Sequence, residues 1–344
     1  MAAASPAADA AEQEYFLADS SASPATKGDI ASLAYPIFAL SVNSRVRSYD
    51  HDGVTLTIKP GVDGCATVKD KDLWIYCISQ LMAAKNSGNP ISRTVRFRAY
   101  GFFVRTRRAT RSTMGGHLYD LLGAALARLK GTVVETNIAT AGVRRRAGFG
   151  LIDSFTIIER NQDGRMTTIE VTLPEWLYGS VLCNEVLTLS PEYFQLRKAL
   201  DRRIYELARK FCGRQPRFQI RLLNLYARSG STDNIKKFRA AVRALARAGT
   251  LPGYSITHDR ATDLVTIYSR TTGGSKRRLA DILAGRRGSG VPRAGALSRP
   301  EPAASGEERA RNFADRRTEF RGPTHGISRT TQIGISRTED SLTP

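Results

Sequence analysis

The sequence predicts an α+β protein with two tandem winged helix–turn–helix domains and disordered N- and C-terminal extensions. Three observations predict this fold class. The second half contains a helix with opposed apolar and cationic faces, the segments around it follow the order helix, turn, helix, hairpin, and a looser copy of that order precedes it. The predicted domains are residues 1–30 (disordered arm), 31–188 (first winged helix), 189–271 (second winged helix) and 272–344 (basic disordered tail).

Charge points to the class of partner. The chain has 344 residues, enough for two domains with tails, and its 52 Lys and Arg residues against 32 Asp and Glu residues give a net charge of +20. Such an excess predicts a polyanionic partner. No stretch approaches the ~20 apolar residues that cross a bilayer, and the N-terminus lacks a secretory signal, so we expect a cytoplasmic protein that does not bind membranes.

The first domain is predicted from alternating strands and periodic helices. Residues 1–30 are rich in Ala, Ser and Pro and lack periodicity, which is typical of a disordered arm. After the arm, strands are predicted at 35–40, 54–59, 133–138, 151–159 and 167–173, and helices at 68–84 and 114–130. Residues 94–108 begin as a strand and continue into a basic run, and 161–164 form a hairpin turn.

The second domain is predicted to begin at a capped helix. Ser190 can cap it and Pro191 can take its first position, and an apolar stripe then continues to Gly213, which predicts one long helix. Shorter elements follow: a helix at 215–227, a turn at Gly230, a helix at 231–249, and strands at 254–257 and 264–268 joined by a polar turn at 258–263.

The helix at 231–249 has two faces. Phe238, Val242 and Leu245 fall on one side, and a narrow sector nearly opposite holds four cations without an acidic residue among them: Lys236, Arg239, Arg243 and Arg247. Ser231, Thr232 or Asp233 can cap its start, and Gly249 can close its end. A cationic face can simply be solvated, but the flanking turn and hairpin favour a helix that enters the DNA major groove while the hairpin reaches the backbone.

Several chemistries lack their sequence signatures. There is no phosphate-binding loop of the G-x-x-x-x-G-K-[ST] type, which argues against an ATPase. The four histidines, at 51, 117, 258 and 325, are isolated, so no His pair can hold a metal beside a nucleophilic Tyr as in nicking initiators. The four cysteines, at 65, 77, 183 and 212, lie far apart, which is typical of core residues. We therefore expect no enzyme activity, cofactor or metal.

Beyond residue 271 the composition shifts to Gly, Arg, Ser and Pro, with a short helix predicted at 279–283. The segment GISRT occurs at both 326–330 and 334–338. A basic tail can add sequence-independent DNA affinity or can serve as a solubilising extension, and both interpretations stay open.

Four segments together resemble a known family. They are ATVKDKDLWIYCISQL at 66–81, GGHLYDLLGAALARLKGTVVETNI at 115–138, LSPEYFQLRKALDRRIYELARKFCG at 189–213 and SGSTDNIKKFRAAVRALARAGTLPGY at 229–254. The chain resembles the replication initiator protein A family of proteobacterial plasmids over most of 35–270. The resemblance implies a non-enzymatic initiator that binds double-stranded DNA at repeated origin sites (iterons) and helps to melt adjacent AT-rich DNA. It also implies recruitment of the host initiator, helicase loader and helicase. Members of such a family often repress their own promoter as homodimers and initiate replication as monomers.

The resemblance assigns candidate DNA contacts by position. Base reading falls to Lys236, Arg239, Arg243 and Arg247, because Arg and Lys suit the major-groove edge of guanine, while Lys237 is a candidate phosphate contact. In the first domain the candidates are His117, Arg128, Arg144, Arg145 and Arg146. Gly115 and Gly116 either permit the turn into the helix, which we prefer, or let DNA approach the backbone.

Two other functions remain open from the sequence. A winged-helix transcriptional regulator would use the same surface, although no separate effector domain is evident. An RNA-binding module would more often interleave exposed aromatic residues with the basic ones, whereas here the aromatic residues follow the apolar stripes. Direct repeats beside AT-rich DNA near the gene would favour an initiator, and one inverted repeat over a promoter would favour a repressor.

Overall fold

The computed structural model describes residues 15–18, 23–108, 115–140, 142, 147–159 and 166–287. Its helices are α1 (Ile30–Ala34), α2 (Asp72–Asn86), α3 (Ala99–Arg105), α4 (Gly116–Gly131), α5 (Glu175–Leu182), α6 (Ala199–Leu207), α7 (Leu222–Ser229), α8 (Ile235–Ala248) and α9 (Thr272–Arg287). Its strands are β1 (Phe16–Leu17), β2 (Lys27–Asp29), β3 (Arg47–His51), β4 (Val54–Lys59), β5 (Thr94–Arg98), β6 (Val133–Thr136), β7 (Ala147–Gly150), β8 (Ser154–Glu159), β9 (Met166–Thr172), β10 (Val186–Thr188), β11 (Arg217–Arg221), β12 (Tyr254–Asp259) and β13 (Leu264–Ser269).

The strands pair into small sheets rather than one continuous sheet. The strand orders are β1-β5-β9-β8, β3-β4-β6-β7, β10-β2 and β11-β13-β12. Strands β1 and β5 run parallel, and the other pairings are antiparallel. The protein is therefore α+β, as the sequence predicts.

Apolar side chains are buried in two clusters. The first surrounds α2 and includes Trp74, whose indole N–H donates to the Leu151 carbonyl at 2.7 Å. The second gathers α6, α7, α8 and the β12–β13 hairpin, but it also takes in Leu33 and Ile75 from the first half of the chain. The described residues all fall within one compact unit, 1–290, and the domain boundary at 188/189 stays a prediction.

Buried charges lie between the two clusters. Arg203 on α6 donates from Nη1 to the carbonyls of Ser32 and Leu33, both at 3.0 Å, and from Nη2 to the carbonyl of Ala34 at 3.1 Å. Its Nη1 also lies 2.9 Å from the Glu206 carboxylate. A buried guanidinium needs such compensation because transfer from water costs several kcal/mol. These bonds fasten α6 to the residues of α1.

Most predicted elements of regular pattern are confirmed. The helices at 68–84, 114–130 and 231–249 correspond to α2, α4 and α8, with starts shifted by two to four residues. The strands at 54–59, 133–138, 151–159, 167–173, 254–257 and 264–268 correspond to β4, β6, β8, β9, β12 and β13. The predicted hairpin turn at 161–164 lies outside the described residues.

The strand predicted at 35–40 is wrong. The preceding residues form α1, and Tyr35 ends that helix by donating its N–H to the Ala31 carbonyl at 2.9 Å. Pro36 follows and has no N–H to donate to a ladder. Within this segment only Ala39 forms a bridge, with Thr67.

The helix predicted at 215–227 is half wrong. Its first part is the strand β11, which pairs with β13, and only the second part is helical, as α7. In Arg217–Arg221 Ile220 is buried between exposed neighbours, which is the alternation of a strand. The three-residue spacing of Ile220 and Leu223 fits a helix equally well, so the sequence alone does not distinguish the two. Pairing with β13 decides between the two periods.

The single helix predicted from Pro191 to Gly213 is broken. Ser190 caps the segment as expected, with its hydroxyl accepting the Glu192 N–H at 3.2 Å, but Pro191–Gln195 is a 3₁₀ turn. The chain then leaves helical geometry before α6, and Arg202 occupies the gap by donating to the Leu196 carbonyl at 2.7 Å. Of the apolar stripe, Tyr193, Leu196, Ile204 and Leu207 are buried, whereas Leu200 and Phe211 are half-buried.

Disorder is predicted too widely at both ends. Strand β2 lies inside the predicted arm, where it pairs with β10, and β1 pairs with β5. The helix α9 lies inside the predicted tail, is longer than the short helix expected, and is held by Arg217, which lies 2.8 Å from Asp281. Strand β3 and helix α5 were not predicted.

Candidate nucleic-acid interface

Helices α7 and α8 are joined by a tight turn at Gly230. This glycine has φ +68°, in the left-handed region that favours glycine, and its N–H donates to the Ala227 carbonyl at 3.2 Å. A Cβ here would lie 2.7 Å from Cβ of Pro36. Both the backbone conformation and the close approach of Pro36 therefore require glycine.

Helix α8 is capped by Asn234, whose Oδ1 accepts the Lys237 N–H at 2.9 Å. The predicted caps Ser231, Thr232 and Asp233 are therefore wrong. The carbonyl of Asp233 instead accepts the Tyr226 hydroxyl at 2.6 Å, which ties the turn to α7. At the other end Gly249 has φ +60° and closes the helix, as predicted.

The buried face of α8 fixes its rotation about its own axis. Phe238, Val242 and Leu245 are buried, as predicted. The Phe238 ring meets the Tyr226 ring edge to face at 5.2 Å between centroids. Because these contacts hold one face inward, the cations of the opposite face point away from the core.

The cations of α8 are not equivalent. Lys236 and Arg247 are exposed and have no ion pair with any residue that the structure describes. Lys237 is exposed and lies 2.7 Å from the Asp233 carboxylate. Arg243 is half-buried and donates from Nε to the Arg239 carbonyl at 3.4 Å. The face thus combines two unengaged cations with others that have internal contacts.

Arg239 is the most constrained of these cations. Its Nε and Nη2 donate to the two carboxylate oxygens of Asp263, at 3.1 and 2.8 Å. The hydrogen bond to Asp263 raises the pKa of Arg239, and the same bond is the main cause that lowers the pKa of Asp263 to about 2. This pair joins the middle of α8 to the turn that connects β12 and β13.

The hairpin contributes residues that the sequence did not single out. In register, Asp259 faces Leu264 at the end of the β12–β13 pair. Asp259 orders the connecting turn by accepting the Ala261 N–H at 2.9 Å and the Thr262 hydroxyl at 2.6 Å. Arg260 is exposed in this turn and adds a cation on the hairpin. The sequence signal that could have identified this turn is Arg260 between two acidic residues, Asp259 and Asp263.

The first-half candidates are scattered. His117 is exposed near the start of α4. Arg128 makes a bidentate pair with the buried Asp70, at 2.9 and 2.8 Å, and its side chain is 15% exposed. Arg128 therefore has an internal partner, and its role at DNA stays a prediction. Arg144, Arg145 and Arg146 lie outside the described residues.

Gly115 and Gly116 stand at the start of α4, where a Cβ added to either residue would meet nothing within 4 Å. Gly115 is the N-cap in an extended conformation, and neither glycine has a positive φ. The turn into the helix therefore does not demand glycine at either position, and both interpretations of these residues stay predictions. The open space in front of both residues leaves the backbone accessible.

Within the described ranges, no three His, Cys, Asp or Glu side chains come close enough to form a metal site. No helix in the same ranges has the length and apolar character that crossing a bilayer requires. Cys65, Cys77 and Cys212 are buried and Cys183 is exposed. Burial raises the pKa of the Cys77 thiol to about 12.

Comparisons with known proteins found one family, one relative and one solved structure to report. The family model "Replication initiator protein A" matches residues 27–256. The "Putative replication protein" of Wigglesworthia glossinidia brevipalpis is 40% identical over 263 residues, which cover 75% of this chain and 94% of that protein. The crystal structure of domains 2 and 3 of RctB has a similar fold, with a TM-score of 0.50 and 11% identity over 71% of this chain and 97% of that one.

Proposed function

The chain belongs to the replication initiator protein A family, and from this membership we propose that it initiates plasmid replication by binding repeated origin sites sequence-specifically. The observation that carries the proposal is the cationic face of α8, held outward by its buried face, beside a hairpin that exposes Arg260. A helix with a row of Arg and Lys, next to a hairpin whose turn exposes one Arg, suits a major groove and its flanking phosphates.

We propose that β11, α7, α8, β12 and β13 form a winged helix–turn–helix. Strand β13 lies between β11 and β12, and the turn at Gly230 joins the two helices, which supports this assignment. Helix α8 is then the recognition helix and the β12–β13 hairpin is the wing. Lys236 and Arg247 supply unengaged cations, while Arg243 and Arg239 act from fixed positions.

The proposed role is binding and assembly rather than catalysis. Bound at double-stranded origin repeats, the protein promotes melting of adjacent AT-rich DNA and recruits the host initiator, helicase loader and helicase. It works in the cytoplasm of a plasmid-bearing bacterium, where it initiates as a monomer and represses its own gene as a homodimer. The family match supports the initiator role, and these finer statements extend it.

The decisive experiment is titration of purified protein on DNA flanking its own gene, across salt, against random DNA of equal length. Stepwise complexes about 10³-fold tighter than those on random DNA are expected. The variants Lys236→Ala and Arg247→Ala should weaken binding. Lys59→Ala is the matched control, because it removes the same charge from β4, where Lys59 pairs with Glu135.

Uniform, salt-sensitive binding to both DNAs would overturn sequence-specific recognition. Binding confined to one inverted repeat over a promoter, without direct repeats, would instead favour a winged-helix transcriptional regulator with no replication role. A transformation assay that pairs the gene with its flanking DNA on a vector lacking another origin separates these two functions.

A further inference from the structure

One residue in the turn at the tip of the proposed wing contacts three elements of the proposed winged helix. Asp263 is the last residue of this turn and has φ +52°, a left-handed conformation that Asp tolerates better than most residues. Its backbone carbonyl accepts the N–H of Leu222, the first residue of α7, at 2.9 Å. Its carboxylate holds Arg239 of α8 and lies 2.8 Å from Nε2 of His258 on β12.

The buried ring of His258 contacts the Asp263 carboxylate. Its side chain is 2% exposed, and its Nδ1 has no hydrogen-bond partner among the described residues. A carboxylate can only accept a hydrogen bond, so Nε2 carries the proton in this contact. The ring is fixed by burial, and its one polar contact therefore fixes the carboxylate that holds Arg239.

The guanidinium of Arg239 is engaged along one edge. Nε and Nη2 face Asp263, and the side chain is 30% exposed, so the group remains at the surface while its orientation is set. A carboxylate at this place also opposes sequence-independent attraction, because it neutralises one cation and repels phosphates. Its favourable effect must therefore lie in geometry.

We propose that Asp263 is a positioning residue that determines DNA specificity, by orienting Arg239 and by fixing the wing against α7 and α8. The inference rests on the proposed function, since it concerns the same surface. It makes a distinctive claim: removing the carboxylate lowers specific recognition and at the same time raises affinity for random DNA. A residue needed only for folding would weaken both.

The test is Asp263→Asn, with Asp259→Asn as the matched control. Asp259 carries the same charge in the same turn but contacts Ala261 and Thr262 rather than Arg239. Binding to flanking and random DNA is measured for each protein at neutral pH, together with thermal unfolding. For Asp263→Asn we expect the ratio of specific to random affinity to fall about tenfold or more, which corresponds to one lost oriented contact. For Asp259→Asn we expect both affinities to rise together and the ratio to hold.

The variant Arg239→Lys keeps the inference falsifiable if Asp263→Asn is poorly folded, because it leaves Asp263 in place, and the double variant adds a check where Asp263→Asn folds. Arg239→Lys keeps the charge and fold but loses the two-point contact, so it should also lower the ratio. The double variant Asp263→Asn with Arg239→Lys should be no less specific than Arg239→Lys alone, because both changes break one contact. Additive losses, or an unchanged ratio in either single variant, would overturn the positioning role. These outcomes overturn the positioning role alone. If the unaltered protein shows no preference for flanking DNA, the proposed function is overturned, and the positioning role with it.

Discussion

The ammonium of Lys71, the residue that precedes α2, lies 3.0 Å from the carboxylate of Glu206 on α6, and both side chains are 1% exposed. The same carboxylate accepts the Tyr193 hydroxyl at 2.8 Å and pairs with Arg203 at 2.9 Å. Burial is the main cause that lowers the pKa of Lys71. Two cations and a phenol thus share the buried Glu206 carboxylate, and the buried carboxylate of Asp29 also attracts Lys71.

Glu206→Gln should therefore be strongly destabilising. The amide keeps the shape but removes the negative charge that Lys71 and Arg203 need. Breaking a buried pair from one side costs about 3–5 kcal/mol of unfolding free energy. Urea denaturation followed by circular dichroism measures this loss.

The control for Glu206 is Glu170→Gln. Glu170 pairs with Arg96 at 2.7 Å, but these side chains are 26% and 29% exposed. Solvent screens this pair, so we expect about 1 kcal/mol or less. If both variants lost the same unfolding free energy, the buried pairs of Glu206 would stabilise the fold no more than the half-exposed pair of Glu170.

Gly230→Ala should cost more than Gly253→Ala. Both glycines have positive φ, +68° and +71°, so both substitutions strain the backbone by about 1–2 kcal/mol. A Cβ at Gly253 meets nothing within 4 Å, whereas at Gly230 it would meet Pro36 at 2.7 Å. Thermal unfolding of the two variants separates strain from collision. A Gly230 variant no less stable than the Gly253 variant would show that Pro36 yields easily.

What the sequence can predict depends on the distance between partners. The spacing of Phe238, Val242 and Leu245 is local, and the buried face of α8 followed from it. The Arg239–Asp263 pair joins positions 24 residues apart, and no local pattern marks it. The strand β11 was missed for a related reason, since its partner β13 decides between two periodicities that the segment satisfies equally.

Asn234→Ala should weaken α8 at its start. The side chain satisfies the Lys237 N–H, and the loss of such a cap costs about 1 kcal/mol. Thr232→Ala, in the same turn and exposed, should change stability by no more than about 0.5 kcal/mol. Chemical denaturation of both variants checks the assignment, and a larger effect at Thr232 would restore one of the caps that the sequence suggested.

Arg243→Ala and Lys236→Ala should differ in how they change DNA binding. Arg243 is half-buried against the backbone of Arg239, so its head group is directed, and its loss should cost about 1–3 kcal/mol on specific DNA alone. Lys236 is exposed, and its loss should weaken all DNA and reduce the salt slope by about 1. Salt titrations on both DNAs distinguish the two patterns. Equal weakening by Arg243→Ala on both DNAs would assign it to phosphates.

The unfolding free energy should fall at low pH because Asp263 becomes protonated. Its pKa is lowered from 3.8 to about 2, chiefly by Arg239, so its contribution is fully present above about pH 4 and is lost as pH falls towards 2. The difference in unfolding free energy between the unaltered protein and Asp263→Asn should therefore shrink across that window. Denaturant titrations at several pH values measure it. A difference that stays constant down to pH 2 would contradict the charge-based account.

The bonds from Arg203 to the carbonyls of Ser32, Leu33 and Ala34 also set an order of events during synthesis. These partners are separated by 169 to 171 positions. Chains emerge N-terminus first, at about 5–20 residues per second, so α1 is made roughly 10 to 30 seconds before the side chain that fastens it. Until α6 leaves the ribosome, Leu33 cannot pack against the α6 residues of the second cluster. Helix α1 is thus made early but secured late, and a polypeptide that stops short of α6 cannot form these bonds.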